Sequence, residues 1–532
     1  VSVLIFLILT YIFLSISLYL LFPKAGVPAV KGLIPGVNFV EWCKLIGRKP
    51  NYALWLLFPI VNIFIYCGMA VDLVRSFDKL KFRHSAAAVI YAPAIFTKMA
   101  LSKKDKYVSP ILPREAEYHN QIQDAIKNNK PRQVEKLVKS NPYKKSTVRE
   151  WTEAIVFAVF AAAFIRMFLI EAYKIPTPSM EGSLLVGDFL FVSKAHYGIR
   201  TPMTIAMFPL LHNTIPVLGT ESYSEKPSLP YFRLPALENI DRNEPIVFNW
   251  PVGDSVYLTP ERSYAAFQVN GNPNFKNAEL ITRPVDKEDH YIKRCIAIAG
   301  DSLEIRDRQV YINGQAVDNP KHLLYTYYVN SANPISAEWL KDQNIDDNDH
   351  PYNIPFLFTL EQSQVDALQK MEGVIVKPLS PEQALDTFNK YTRQNIPHGD
   401  LYPHDEAHFG KWTIDNFGPI YIPKKGATVQ LTPQSIALYQ RVIDVYEGND
   451  FKIENGQYII NGQPATSYTF KLDYYWAMGD NRHNSEDSRV WGFVPETHIV
   501  GKPLFIWFST KDGNMSNGIN WSRIFTSAYK MD

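Results

Sequence analysis

The sequence predicts a membrane-anchored, mainly β protein: N-terminal transmembrane helices, then a β-rich domain interrupted by a large α+β insertion. Three observations carry this. Apolar runs at residues 1–22 and 155–170 are long enough to cross or nearly cross a bilayer. The region after Tyr173 is punctuated by short β-prone runs. Two Asn-Gly turns in matching contexts, VYINGQAV at 310–317 and YIINGQPA at 458–465, bracket a stretch of different texture. At 532 residues the chain is too long for one ordinary core. The net charge of +2 gives no electrostatic case for nucleic acid as a partner.

Residues 1–22 exceed the core of a cleavable signal and lack a basic leader, so they read as a retained membrane helix. Residues 53–71 are a second candidate span, and 85–99, interrupted by Pro93, a weaker third. A faint repeat pairs Pro35 and Asn38 with Pro59 and Asn62, as if two related membrane-embedded hairpins were present. Residues 98–149 then carry thirteen Lys and Arg, with a helix-like stretch at 115–139. A basic loop beside membrane helices belongs on the cytoplasmic side, so the helix at 152–170 runs outward and everything after Tyr173 lies outside the cytoplasm. Arg166, near the outer end, snorkels to the headgroups.

Strands are expected at 184–192, at 245–251 (PIVFNWP) and at 302–312, the last turning at Asn313 and Gly314. Between the bracketing turns, 359–372 and 432–447 read as helices, the second opening on Thr432 as cap with Pro433 in the first turn. The only cysteines are Cys43, Cys67 and Cys295, so the soluble part has no disulfide framework and Cys295 reads as a free buried thiol.

Chemistry enters at Ser179, between Pro178 and Met180. Nine residues after Ile170, it is held within about 30 Å of the membrane surface. No histidine lies close in sequence except His196, so a base must come from elsewhere. Lys293, flanked by Ile292, Cys295, Ile296 and Ile298, would be desolvated in a core strand, and burial lowers a lysine pKa until the neutral amine can act as a base. A third segment, 478–495, packs Asp480, Arg482, Asp487 and Arg489 into one short stretch suited to charge-assisted pairing, with Ser485 available to a nearby amine. His404 and His408 have helical metal-site spacing, with His398, Asp405 and Glu406 nearby. A zincin pattern would place Glu directly after the first His, where this chain has Asp405, so no metal or cofactor is expected.

PSM at 178–180 followed by LLVGDFLFVSKAHYG, then YIKRCIAIAGD at 291–301, then GDNRHNSEDSRVWGFVP at 479–495, resemble in order the motifs of the type I signal peptidases, the leader peptidases of bacterial inner membranes. The resemblance implies a serine endopeptidase in which Ser179 is the nucleophile and Lys293 the general base. It further implies that Thr177 faces the oxyanion, that Ser485 orients the lysine, and that Asp480, Arg482, Asp487 and Arg489 form a supporting network. His483 and Glu486 occupy variable positions and receive no role. Where many members continue PSM with x-Pro-Thr-Leu, this chain has Glu181-Gly182-Ser183-Leu184, a change expected to reshape the turn.

The domain reading that follows is an N-terminal membrane region of two or three spans at 1–100, a basic cytoplasmic segment at 101–150 and a transmembrane helix at 151–172. The catalytic domain then occupies 173–319 and 458–532, around an inserted subdomain at 320–457. The implied protein is a multi-pass protein of the bacterial cytoplasmic membrane with its catalytic domain on the periplasmic side. Its partners would be membrane lipid and signal-peptide-bearing preproteins, cut after small residues in an Ala-x-Ala-like pattern. The alternatives are a peptidase dedicated to few envelope substrates, or a non-catalytic relative that binds envelope partners.

Overall fold

The computed structural model describes residues 2–57, 61–145, 147–208, 210–211, 213–215, 218, 220–259, 262–269, 275, 279–345, 350–393 and 401–529. The chain divides into two compact units, residues 1–159 and 160–532.

The first unit is helical. Its opening helix, Ser2–Leu21, contains no charged residue and buries Leu14, Leu18 and Leu21 while Ile5, Leu9, Ile12 and Phe13 stay exposed. Trp42 is the centre of the core, in ring contact with Phe39, Tyr66 and Phe96. The Lys24 ammonium donates to the carbonyl of Met99, in the last turn of the helix Phe82–Leu101, where carbonyls lack intrahelical partners, and to those of Ser102 and Asp105 just beyond it. That helix is kinked: Tyr91 leaves helical geometry two residues before Pro93, whose ring removes a donor and crowds the preceding turn. Residues 53–71, expected as one span, are instead divided between a 3-10 helix, Pro50–Leu57, and an α-helix, Val61–Ser76. Pro59, which has no N–H to continue a helix, lies outside the described residues. The expected helical stretch at 115–139 is likewise two helices, Ile111–Lys127 and Pro131–Lys139, parted at Asn129, whose φ is +48°, with Pro131 opening the second. Among the described residues, two segments are long and apolar enough to cross a membrane, Ile8–Ala25 and Thr147–Phe168.

The second unit is mainly β. Its principal sheet has seven strands: β1 (Ile170–Lys174), β2 (Asp188–Ser193), β3 (Pro245–Asn249), β4 (His290–Ala297), β5 (Tyr474–Met478), β6 (Val494–Pro495) and β7 (Ile499–Ser509), in the order β1-β2-β7-β3-β4-β5-β6. β3 is buried along its whole length because both faces are covered. Ile246 and Phe248 pack with Trp250, Cys295 and Trp491, while Val247 packs with Leu190, Val500 and Ile506. An uninterrupted apolar run is what such a strand requires, and PIVFN supplies it. The strand expected at 184–192 starts only at Asp188, because 180–187 is used to turn the chain. Leu185 N–H bonds the Asp188 carboxylate, itself buried and gripped by Arg523 and Ser509.

The expected strand at 302–312 is a hairpin, Ser302–Arg306 with Gln309–Ile312, turning through Asp307 and Arg308, both at positive φ. Asn313-Gly314 then makes a second turn, into Gln315–Ala316. The echo at 451–465 repeats this three-strand meander, with turns at Asn455-Gly456 and Asn461-Gly462. Between the meanders, the helix expected at 359–372 is shorter, Gln362–Gln369, capped by Glu361 and Gln364, because Leu357–Leu360 is a strand. The helix Pro433–Arg441 is capped by Thr432 as its sequence indicates. Residues Tyr325–Ser331, Leu357–Leu360 and Val374–Pro378 form a separate small sheet over its own core of Tyr327, Val329, Phe358, Leu360 and Leu368. In contrast, Tyr402, Phe417, Ile436 and Tyr439 join Leu303, Ile305, Trp476 and Phe493 in one large cluster.

Candidate active site

Ser179 lies in the 3-10 turn Pro178–Met180, within the long connection of the β1–β2 hairpin. Pro178 pre-sets the first helical residue, and Met180, fully buried, anchors the turn while its carbonyl accepts from both Ser183 and Leu184 N–H. The Glu181-Gly182-Ser183-Leu184 sequence has a physical reason here. Gly182 sits at φ +94°, with the His322 carbonyl where a Cβ would project, so no other residue fits. Ser183 uses its hydroxyl to accept from Arg294 Nη2 at 3.1 Å. Thr177, in extended geometry just before the turn, is exposed and makes no side-chain cap bond.

Lys293 is on β4, opposite Ile246 of β3, and is 3% exposed. With period-two alternation, Tyr291, Lys293 and Cys295 share one face. Its Nζ lies 2.6 Å from Ser179 Oγ. Burial pulls the ammonium down to about 8, against the carboxylates of Asp487, Glu486 and Asp480, which raise it. A substantial share of the amine is therefore neutral in mildly alkaline solution, with a serine hydroxyl in hydrogen-bond reach.

The loop after β5 braces both. Asn481 donates its main-chain N–H to the Ser179 carbonyl at 3.2 Å and its Nδ2 to the Pro178 carbonyl at 3.3 Å. Gly479 passes so close that a Cβ would overlap Ser485 Oγ and the Ser179 carbonyl. Asp480, fully buried, takes a bidentate pair from Arg294 at 2.8 and 2.7 Å. Asp487 takes another from Arg489 at 2.9 and 2.8 Å, and accepts the Gly479 N–H at 3.0 Å. Such pairs offset the heavy desolvation of their charges only when the geometry is good, and removing one partner typically costs roughly 3–5 kcal/mol.

The expected network is thus assembled differently. Asp480 pairs with Arg294 of β4, not with Arg482. The Arg482 guanidinium is buried with Nε and Nη2 unbonded among the described residues, and its backbone does the bracing: its carbonyl accepts from Arg489 at 2.8 Å. Burial would push the Asp487 carboxyl up, but the Arg489 guanidinium holds it below the usual range, the Gly479 N–H adds to this, and the Ser485 hydroxyl, which faces it, adds least. That hydroxyl closes no hydrogen bond of ordinary geometry with Lys293 or any other described residue.

Sequence reasoning gave no part to Asn481, Gly479 or Arg294. Arg294 had a readable signal, since the residue after a core-facing strand lysine points to the opposite face, and an arginine there needs a carboxylate. His483 and Glu486, assigned no role, are both tied in. His483 accepts the Thr326 N–H at 3.0 Å through Nδ1 and meets Asp415 at 2.8 Å through Nε2, while Arg308 reaches the same carboxylate at 3.2 Å. Leu324 adds main-chain bonds to the same loop, donating to Asp480 O and accepting from Arg482 N–H. Glu486 bonds Arg262 and Gln268. Of the histidine group, His408 bonds Asp405, which caps the short helix Glu406–Phe409, and His404 contacts the rings of Phe267 and Tyr402. His398 lies outside the described residues. Among the described residues no cluster of three or more His, Cys, Asp or Glu side chains is placed to hold a metal.

Comparison with known sequences places this geometry in context. The model of a family described as signal peptidase, peptidase S26, matches residues 148–407 and 446–508. A second model, of a family of unknown function, matches residues 30–110. Curated relatives are similar over most of their length. Signal peptidase I of Haemophilus influenzae is 25% identical over 376 residues, 70% of this chain and 74% of that protein. Signal peptidase I of Buchnera aphidicola subsp. Acyrthosiphon pisum is 25% identical over 413 residues, 76% of this chain and 88% of that protein. That of Pseudomonas aeruginosa is 22% identical over 387 residues, 70% and 78% respectively.

Proposed function

Since the chain belongs to the signal peptidase family, peptidase S26, we propose that it is a membrane-bound serine endopeptidase that removes signal peptides from exported preproteins. The observation that carries the reading is the 2.6 Å contact between Ser179 Oγ and a buried lysine whose amine is drawn down to about 8. Lys293 takes the hydroxyl proton as Ser179 Oγ attacks the scissile carbonyl, then returns it to the departing amine. The same neutral amine next takes a proton from water, which opens the acyl-enzyme. The Ser179 N–H and the Thr177 hydroxyl receive the oxyanion, donors of a kind typically worth ~10²–10³ in rate. The resemblance gives Ser485 the part of orienting the amine, from a hydroxyl set here beside Asp487. Asp480, Arg482, Asp487 and Arg489 hold the loop that supports it.

The membrane assignment rests on the helix Thr147–Phe168, apolar enough to span, which runs within two residues into β1. It also rests on an aromatic face of the sheet where Phe189, Phe191, Phe505 and Trp507 make ring contacts, with the exposed ring of Phe525 tilted against Phe505. A tryptophan in such a face favours the bilayer interface, and the phenylalanines beside it add apolar area that a membrane surface can cover. By the charge asymmetry, the basic 101–150 segment is cytoplasmic and the catalytic domain periplasmic, with further spans before residue 100 and an insertion at 320–457.

The test is cleavage by the purified full-length protein, in detergent or vesicles, of several unrelated preproteins. Cutting at small-residue sites in all of them is expected, and a bulky residue at −1 should abolish it. Cleavage of one precursor alone would favour a dedicated peptidase, and cleavage of none would sink the reading. A sharper prediction concerns Gly479. Gly479→Ala should push the Ser179 carbonyl away and lower kcat/KM by about 10²-fold, since misplacement by an ångström is enough to do so. Unchanged kcat/KM in that variant would show that the close approach is not needed.

A further inference from the structure

Glu486 stands between Ser485 and Asp487, in the loop that braces Lys293. Its carboxylate is fixed from outside the loop: Arg262 Nη2 donates to Oε2 at 3.0 Å and Gln268 Nε2 to Oε1 at 2.5 Å. Both donors are pre-set. The Arg262 guanidinium lies 4.4 Å over the Tyr264 ring, and Gln268 Oε1 accepts the Ala265 N–H at 2.9 Å. Tyr264 and Ala265 belong to a small three-stranded sheet, Ser255–Leu258, Ser263–Ala265 and Leu280–Thr282, Gln268 to the short helix Ala266–Val269, and Arg262 directly precedes the second strand. One charged contact thereby ties this sheet to the loop beside the lysine.

An ion pair with Arg262 side-chain exposure of 41% adds little to stability. Its position gives it another consequence. The charged groups facing Lys293 are Asp480, Glu486 and Asp487 from the loop, with Ser179 Oγ from the hairpin turn and the Tyr291 ring on its own strand. Asp480 and Asp487 are each neutralised by a bidentate arginine within the fold. Among the described residues Glu486 is paired with one cation, the half-exposed Arg262 beside a separate sheet, so its net field at Lys293 depends on how firmly Arg262 is seated.

We propose that Glu486 and Arg262 are a pair of positioning residues that set the pH at which the Lys293 amine becomes available, the carboxylate holding the proton on the lysine and the guanidinium countering it. The proposal rests on the Ser179–Lys293 reading. It is tested by pH profiles of kcat/KM for preprotein cleavage at low ionic strength, with Glu486→Gln and Arg262→Gln, both conservative replacements near the surface. Loss of the carboxylate charge favours the neutral amine, so Glu486→Gln should move the acid limb to lower pH by roughly half a pH unit. Arg262→Gln leaves the carboxylate uncountered and should move it to higher pH. Opposite displacements are the expected signature, because a merely structural pin would lower activity in both variants without moving the limb. Unmoved limbs, or limbs moved in the same direction, overturn this inference while leaving the Ser–Lys reading intact. Activity retained by Lys293→Met would overturn that reading, and this one with it.

Discussion

Ser179→Ala is expected to abolish preprotein cleavage, lowering kcat by roughly 10⁴-fold or more, while precursor binding and thermal stability stay near wild type. The change removes one oxygen from a half-buried position in the connection. Met180, Ser183 and Leu184 keep the turn through buried apolar contact and main-chain bonds that the substitution leaves alone. The hydroxyl is the atom 2.6 Å from the lysine, so without it no acyl-enzyme forms. The measurement is single-turnover cleavage of a preprotein, with binding followed separately. Retained turnover would dismiss Ser179 as the nucleophile.

Lys293→Met is expected to be equally inactive and to fold at least as well. The lysine lies in an apolar strand environment where burial opposes its charge, and methionine fills a similar volume with nothing to desolvate. Lys293→Arg should also be inactive, because a guanidinium stays protonated throughout the accessible range and offers no lone pair. Because the two groups act as one unit, the Ser179→Ala, Lys293→Met double variant should lose little more than either alone. The wild-type pH profile carries the same prediction. The base is the neutral form, so kcat/KM should rise with pH through about 8 and fall below it as the amine takes up its proton. A profile flat from pH 6 to 9 would contradict a lysine base.

The site was legible where chemistry demands particular residue types close together in sequence. A serine in a proline turn and a lysine in an apolar strand can be read from local pattern, and their contact follows once the turn that carries the serine is laid against β4. The partners were not legible. Asp480 lies next to two arginines in its own segment, yet its partner is Arg294, nearly two hundred residues earlier, because strand pairing brings Met478 opposite Arg294. Asn481 acts mainly through its backbone, which sequence does not advertise. In the fold, the errors came at turns. Residues 302–312 read as one strand because the bend at Asp307 and Arg308 uses left-handed conformations at residues that are not glycine. At 184–192, an apolar start was needed for the core beneath the turn and not for the sheet.

The main-chain bonds between Leu324 and the 480–482 segment bear on how the chain can be shortened. A truncation at residue 320 would leave the Arg482 N–H and the Asp480 carbonyl without partners in a dry interior. A cut placed after Thr326 would keep those bonds and the one to His483. At the far end, Tyr402 and Phe417 belong to the large cluster that holds Trp476, so the rejoined chain has to resume before them. The removable part of this protein is therefore smaller than the distance between its two matching turns, and its true borders are drawn by hydrogen bonds.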